Sequence, residues 1–107
     1  MLSCEVKAKF LRGFSDKTRL QILDSLREGE RSVSQIVAEV DGNQSNISQH
    51  LACLKGCGII RSRQEGKYSY YSLSGDEVGA LLDMIDRVYA QVDTDVKSCE
   101  RNEQLNL

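Results

Sequence analysis

Proline is absent from the 107 residues, histidine occurs once, at His50, and no low-complexity tract or internal repeat is present. Without proline to punctuate it, the chain has to be divided by hydrophobic periodicity. No apolar run approaches the ~18 residues that a membrane span requires. The start also lacks the basic, apolar and small-residue pattern of a secretory signal. A cytoplasmic protein with no membrane partner is therefore expected. One histidine, no Cys-x-x-Cys and no phosphate-cradling glycine loop leave little from which to build a catalytic site, so neither an enzyme nor a small-molecule substrate is expected. The length suits one domain near the lower part of the usual range.

What the chain does carry is four cysteines and an uneven distribution of charge. In a reducing compartment, thiols at this density more often bind metals or sense oxidants than form a disulfide framework. The formal net charge of −2 argues at first against a nucleic-acid partner. However, residues 44–73 hold Lys55, Arg61, Arg63 and Lys67 against Glu65 alone, whereas residues 74–107 are strongly acidic. Local field and not the whole-chain sum steers DNA, so a positive middle segment is compatible with a phosphate-binding surface. It is equally compatible with an ordinary solvated face.

Periodicity predicts five helices and one β-hairpin. Val6, Phe10, Leu11 and Phe14 form a first apolar face. Asp16 offers an N-cap for a helix carrying Leu20, Leu23 and Leu26, with Gly29 as its stop. Ser32 caps a third helix, on which Val33, Ile36, Val37 and Val40 follow at helical spacing, and "DGN" at 41–43 breaks it. Ile47, Leu51 and Leu54 mark a fourth helix that ends at Gly56 or Gly58. Two short helices joined by a glycine-containing turn form a helix-turn-helix. "IIRSRQEGKYSYYSLS" then reads as a hairpin turning at Glu65-Gly66-Lys67. A last helix of about fifteen residues, by its periodicity, carries Val78, Leu81, Leu82, Ile85, Val88, Tyr89 and Val92. So small a core cannot cover both terminal stripes. The segments 1–14 and 75–92 are therefore expected to bury each other across a two-fold dimer, followed by an acidic tail over 93–107; packing within one chain is the alternative.

On the fourth helix, Leu51 and Leu54 fall within about 40° of Ile47 at ~100° per residue. Opposite them lie Ser45, Gln49 and Ala52, with Ser48 and Lys55 alongside. A face of small and hydrogen-bonding residues suits entry into the major groove. Gln44, Ser45, Ser48, Gln49 and His50 are the candidate DNA contacts on this helix, and Arg63 and Lys67 are those on the hairpin. His50 borders the core stripe, where packing and hydrogen bonding offer it another role. Cys53 and Cys57 share the flank of the helix one turn apart. At that spacing the Cβ atoms lie roughly 5–6 Å apart, near enough for both sulfurs to ligate one ion. Side chains running parallel on one face suit a disulfide less well. Cys99 and Cys4 remain as further sulfur donors, and both flank the terminal helices, from which a partner chain would reach the site. A site of three or four thiolates suits soft ions such as Cd(II), Pb(II) and Hg(II), with Zn(II) and Cu(I) also compatible.

Taken together, "SDKTRLQILDSL", "SVSQIVAEV", "SNISQHLACLKGCGII" and "EGKYSYYSL" resemble the ArsR/SmtB winged-helix repressors along the whole chain. Lys17 stands where that family commonly has proline. More narrowly, "SCE" at 3–5, "HLACLKGCG" at 50–58 and "VDTD" with the cysteine at 99 resemble the CmtR-type cadmium and lead sensors. The resemblance implies Cys53, Cys57 and Cys99 as metal ligands, with Cys4 also matching a cysteine of that subgroup. It further implies a mainly α winged helix-turn-helix and a homodimer that represses a metal-resistance operon and leaves operator DNA when metal binds. Two other sites of the family are missing from the sequence, because the third helix has no Cys-x-Cys and the last helix has no histidine. Three rivals stay open: an arsenite sensor, a thiol-oxidant or persulfide sensor on the same fold, and a zinc-stapled interaction module without a DNA role.

Overall fold

Side-chain caps divide the chain where periodicity predicts. The computed structural model describes residues 1–103, with side chains described for residues 1–93. Helix α1 (Cys4–Leu11) is capped by Ser3, whose hydroxyl accepts from the Val6 N–H at 3.2 Å. A 3₁₀ turn over Arg12–Phe14 buries Gly13 and Phe14. Helix α2 (Lys17–Leu26) starts at Asp16, whose carboxylate accepts from the Arg19 N–H at 3.0 Å. Strand β1 (Arg31–Ser32) leads directly into α3 (Val33–Glu39), where Ser32 and Gln35 form a reciprocal capping box. After a turn at residues 40–43, α4 (Gln44–Gly56) begins at Asn43, which accepts from the Asn46 N–H at 2.8 Å. Strands β2 (Ile60–Glu65) and β3 (Tyr68–Leu73) follow, and α5 (Asp76–Glu103) completes the described chain.

The expected hairpin is present but belongs to a larger unit. β1, β3 and β2 form an antiparallel sheet in that order, with Arg31 opposite Tyr71 and Ser32 opposite Tyr70. Glu65 pairs with Tyr68 around a two-residue turn in which Gly66 has φ +62° and Lys67 does not have positive φ. Glycine first in a two-residue loop is the pattern of a type II′ turn, whose twist matches that of the strands. The last helix also exceeds its expected fifteen residues, since α5 continues from the apolar stripe through the acidic segment to Glu103.

Phe14, Ile22, Leu23, Leu26, Ile36, Val40, Ile47, Leu51, Leu54, Ile59, Ile60 and Leu82 form the buried core, so it lies between α2, α3, α4 and the base of the sheet. Among the described side chains of the last helix only Leu82 is fully within it, and α1 contributes no buried residue. Val6, Phe10 and Leu11 on α1, and Met84, Ile85, Val88, Tyr89 and Val92 on α5, remain 37–51% exposed. A groove lined by Leu81, Met84, Ile85, Val88, Tyr89 and Val92 runs along α5. Arg27 at the end of α2 holds this helix by ion pairs to Asp83 and Asp86, while Asp24 accepts from the same guanidinium. No helix among the described residues is long and apolar enough to cross a membrane.

Candidate functional site

Helix α4 is held from one side only. Ile47, Leu51 and Leu54 are fully buried, whereas Gln44, Ser45, Ser48, Gln49 and Ala52 are exposed on the other side. The helix therefore presents a polar ridge with no bulky apolar group. His50 does not join that ridge. Its Nδ1 accepts from the Arg19 Nε–H at 3.1 Å, its Nε2 lies 3.8 Å from the Asp16 carboxylate, and its side chain is only 18% exposed. Because Nδ1 accepts, the neutral ring carries its proton on Nε2, facing Asp16. His50 thus pins α4 to the start of α2, consistent with its position beside the core stripe.

The hairpin supplies a second set of groups beside α4. Lys67 at its turn and Gln44 at the start of α4 line one cleft of about 290 Å³, together with Ser32, Val33, Ser34, Tyr68 and Ser69. Sequence reasoning missed Ser34, Tyr68 and Ser69 as members of this surface. Serine density, which is common in any exposed segment, was the one signal for Ser34 and Ser69, and nothing local marked Tyr68. Lys67 also lies over the Tyr68 ring, 5.8 Å from its centroid.

Arg63 is placed differently. Its Nε and Nη2 donate to the two oxygens of Glu30, both at 2.7 Å, and its Nη1 donates to Glu65 at 2.9 Å. The guanidinium lies 4.8 Å from the centroid of Tyr70, its cross-strand partner. Hydrogen bonds donated to Glu30 first, then to Glu65, raise the pKa of Arg63 above the usual arginine range, and Arg63 in turn holds the Glu30 carboxyl below the usual glutamate range. The local sum of one cation and two carboxylates is negative. Of the expected hairpin contacts, only Lys67 has its charge unpaired by a carboxylate in the contacts described above.

Two cysteines mark the end of α4. Cys53 lies in the last full turn and is half-buried; Cys57 is the C-cap and is exposed. The chain reverses there through a Schellman motif, in which Gly58 N–H donates to the Lys55 carbonyl at 3.0 Å and Ile59 N–H to the Leu54 carbonyl at 3.1 Å. Gly58 supplies the left-handed φ of +78° that this motif requires. The carbonyl end of a helix carries partial negative charge, so a cation held there is favoured. Cys4 is exposed in the first turn of α1. The Cys99 side chain lies outside the described residues, and among the described residues no three His, Cys, Asp or Glu side chains converge on a common ion position. Cys53 and Cys57 lie one helical turn apart at the end of α4, and no third ligand converges with them among the described residues.

A helix-turn-helix formed by α3 and α4, with a two-stranded wing beside its exposed helix, defines a DNA-binding transcriptional regulator. Comparison with known proteins gives the family. Residues 16–62 match the bacterial regulatory proteins of the arsR family. The chain is 35% identical over 99 residues to the HTH-type transcriptional regulator CmtR of Mycobacterium tuberculosis, covering 89% of this chain and 84% of that protein. The chain belongs to the arsR family. Its relatives are transcriptional regulators and not enzymes. A probable mercury resistance operon repressor of Streptomyces lividans is 35% identical over 78 residues, 73% of this chain and 62% of that protein. A homodimeric winged helix-turn-helix DNA-binding domain from Mycobacterium bovis superposes with a TM-score of 0.74 at 32% identity, covering 85% of this chain and 83% of the other.

Proposed function

We propose that this transcriptional regulator is a repressor that binds operator DNA as a homodimer and is released when Cd(II) or Pb(II), with Zn(II) and Hg(II) as further candidates, binds cysteine thiolates. The observation that carries this reading is the sharing of one helix by two surfaces. The exposed ridge of Gln44, Ser45, Ser48 and Gln49 lies on α4 with Cys53, Cys57 is the C-cap of that helix, and Cys57 stands two residues before the buried Ile59 that roots the wing. An ion at the end of α4 therefore acts on both parts that would meet DNA. Cys99, or Cys4 from the terminal helix, would complete the ligand set begun by Cys53 and Cys57.

Metal lowers DNA affinity only if it binds better to a dimer shape that fits DNA poorly, and by linkage DNA then weakens metal binding by the same factor. The exposed apolar faces of α1 and α5 support the dimer, as does the homodimeric relative. The mercury resistance repressor among the relatives supports a soft-metal signal. The test has two parts. Selection from a random duplex library with the full chain should enrich a two-fold symmetric sequence, as a dimer of helix-turn-helix units requires. Titration with Cd(II) should produce a sulfur-to-metal charge-transfer band that Cys53→Ser and Cys57→Ser weaken. No enrichment would overturn the DNA reading. A Cd(II) titration without the band, alongside rapid reaction with peroxide or persulfide, would replace the metal signal with a thiol-redox one.

A further inference from the structure

The contacts of Arg63 form a strap across the sheet. Arg63 is on β2, at one edge; Tyr70 is on the central strand β3; Glu30 immediately precedes β1 at the other edge. The guanidinium leaves its own strand, passes over the Tyr70 ring at 4.8 Å and ends in a two-pronged contact with Glu30 at 2.7 Å on each side. Two residues after Glu30, Ser32 caps α3, the first helix of the helix-turn-helix. The strap thus connects the wing to the entry of the DNA-binding unit. The pair is 33 residues apart in sequence, and nothing else described joins β2 to this connection by a side-chain ion pair.

We infer that Arg63 is a positioning residue, which sets the angle of the wing against α3 and α4 through Glu30, and that it makes no phosphate contact of its own. This rests on the proposed binding of operator DNA. All three guanidinium nitrogens already donate to carboxylates. A phosphate approaching Arg63 would meet Glu30 and Glu65 at the same point, which opposes counterion-releasing contact there. Bidentate geometry explains why an arginine serves here: its planar fork matches a carboxylate in a way that a lysine ammonium does not. Of the two candidate wing contacts, Lys67, whose cleft reaches Gln44, is the one left for phosphate.

The inference makes a prediction opposite in sign to simple electrostatics. Glu30 is a negative charge on the connection into the helix-turn-helix, so its removal should strengthen DNA binding if it acted only through charge. If it holds the wing, Glu30→Ala weakens binding. The experiment measures affinity for the duplex selected by the wild-type full chain, over a salt series, for Glu30→Ala, Arg63→Gln and the double variant, with far-ultraviolet circular dichroism as the check of folding. The expected result is a three- to tenfold loss for each single variant, within the range of modest network couplings. The double variant should lose no more than either single one, and the salt slope should stay as in wild type. Glu30→Ala binding as tightly as wild type or tighter, or a slope reduced by about one in Arg63→Gln, would overturn the inference. A wild type that enriches no duplex would overturn the DNA-binding reading beneath it; wild-type binding with an unweakened Glu30→Ala overturns the strap alone.

Discussion

Replacing Val88 by aspartate should convert a dimer into a folded monomer. Val88 is 50% exposed at the middle of the apolar groove on α5 and outside the buried core, so the charge should not unfold the domain. Eight apolar side chains on α1 and α5 remain about half exposed in one chain. Complete burial of such a side chain is worth about 1.5–3 kcal/mol, so covering the exposed half contributes about 1 kcal/mol each. Two chains then contribute on the order of 15 kcal/mol of gross burial, against an association cost of about 4–15 kcal/mol. The two totals are comparable, and small changes decide the outcome. In a two-fold interface the substitution occurs twice. Each copy forfeits about 1 kcal/mol of burial and adds the desolvation of a carboxylate, giving at least about 4 kcal/mol in all. That corresponds to about a thousandfold in the dimer dissociation constant. Sedimentation equilibrium over a concentration series, with circular dichroism as control, measures it. A wild type that sediments as a monomer at every concentration, or a Val88→Asp variant that dimerises like wild type, would refute the reasoning.

Lys67→Ala should lower the salt slope of DNA binding by about one, with little change in sequence preference, because a phosphate contact is lost; an unchanged slope would remove Lys67 from the interface. Leu54→Ala leaves a cavity at a side chain with no exposure, so chemical denaturation should show a loss of about 2–5 kcal/mol. The Glu30 carboxyl is held below its usual range by Arg63. The stability that this pairing contributes is present above the unfolded-state pKa and is lost as pH falls through the lowered folded-state value. The difference in thermal midpoint between wild type and Glu30→Ala should therefore narrow from neutral pH downward across the carboxylate range, about 4 and below.

Local signals carried most of the fold. Asp16 and Ser32 act as the caps that their positions suggest, and the buried members of α4 are the three residues spaced for it. What depended on distant pairing was not legible. A two-residue strand has no periodicity, so Arg31–Ser32 becomes a strand only through Tyr70 and Tyr71. Ile22, among the most buried residues, stands beside the expected Leu20-Leu23-Leu26 line, and Leu20 is only partly buried. The acidic residues after Val92 gave no apolar stripe, although the helix continues through them. At the site, the faces of α4 were readable because the helical period fixes them. Arg63 is a candidate DNA contact in the sequence, and its pairing with Glu30 is not legible there because Glu30 is 33 positions away and charge counting within a segment does not see across a sheet. His50 borders the core stripe by angle, but its partner there, Arg19, lies 31 positions away and no local pattern points to it.

The claim that one helix both reads DNA and receives the metal is tested most directly by fluorescence anisotropy of the selected duplex, titrated with full-chain protein in the presence and absence of Cd(II), alongside Cys53→Ser and Cys99→Ser. A coupling of about 1–3 kcal/mol predicts that Cd(II) weakens wild-type binding about 5- to 150-fold. Both variants should bind the duplex in the absence of metal and lose that response. Wild-type protein that shows the Cd(II) charge-transfer band and still binds the duplex with unchanged affinity would contradict the account.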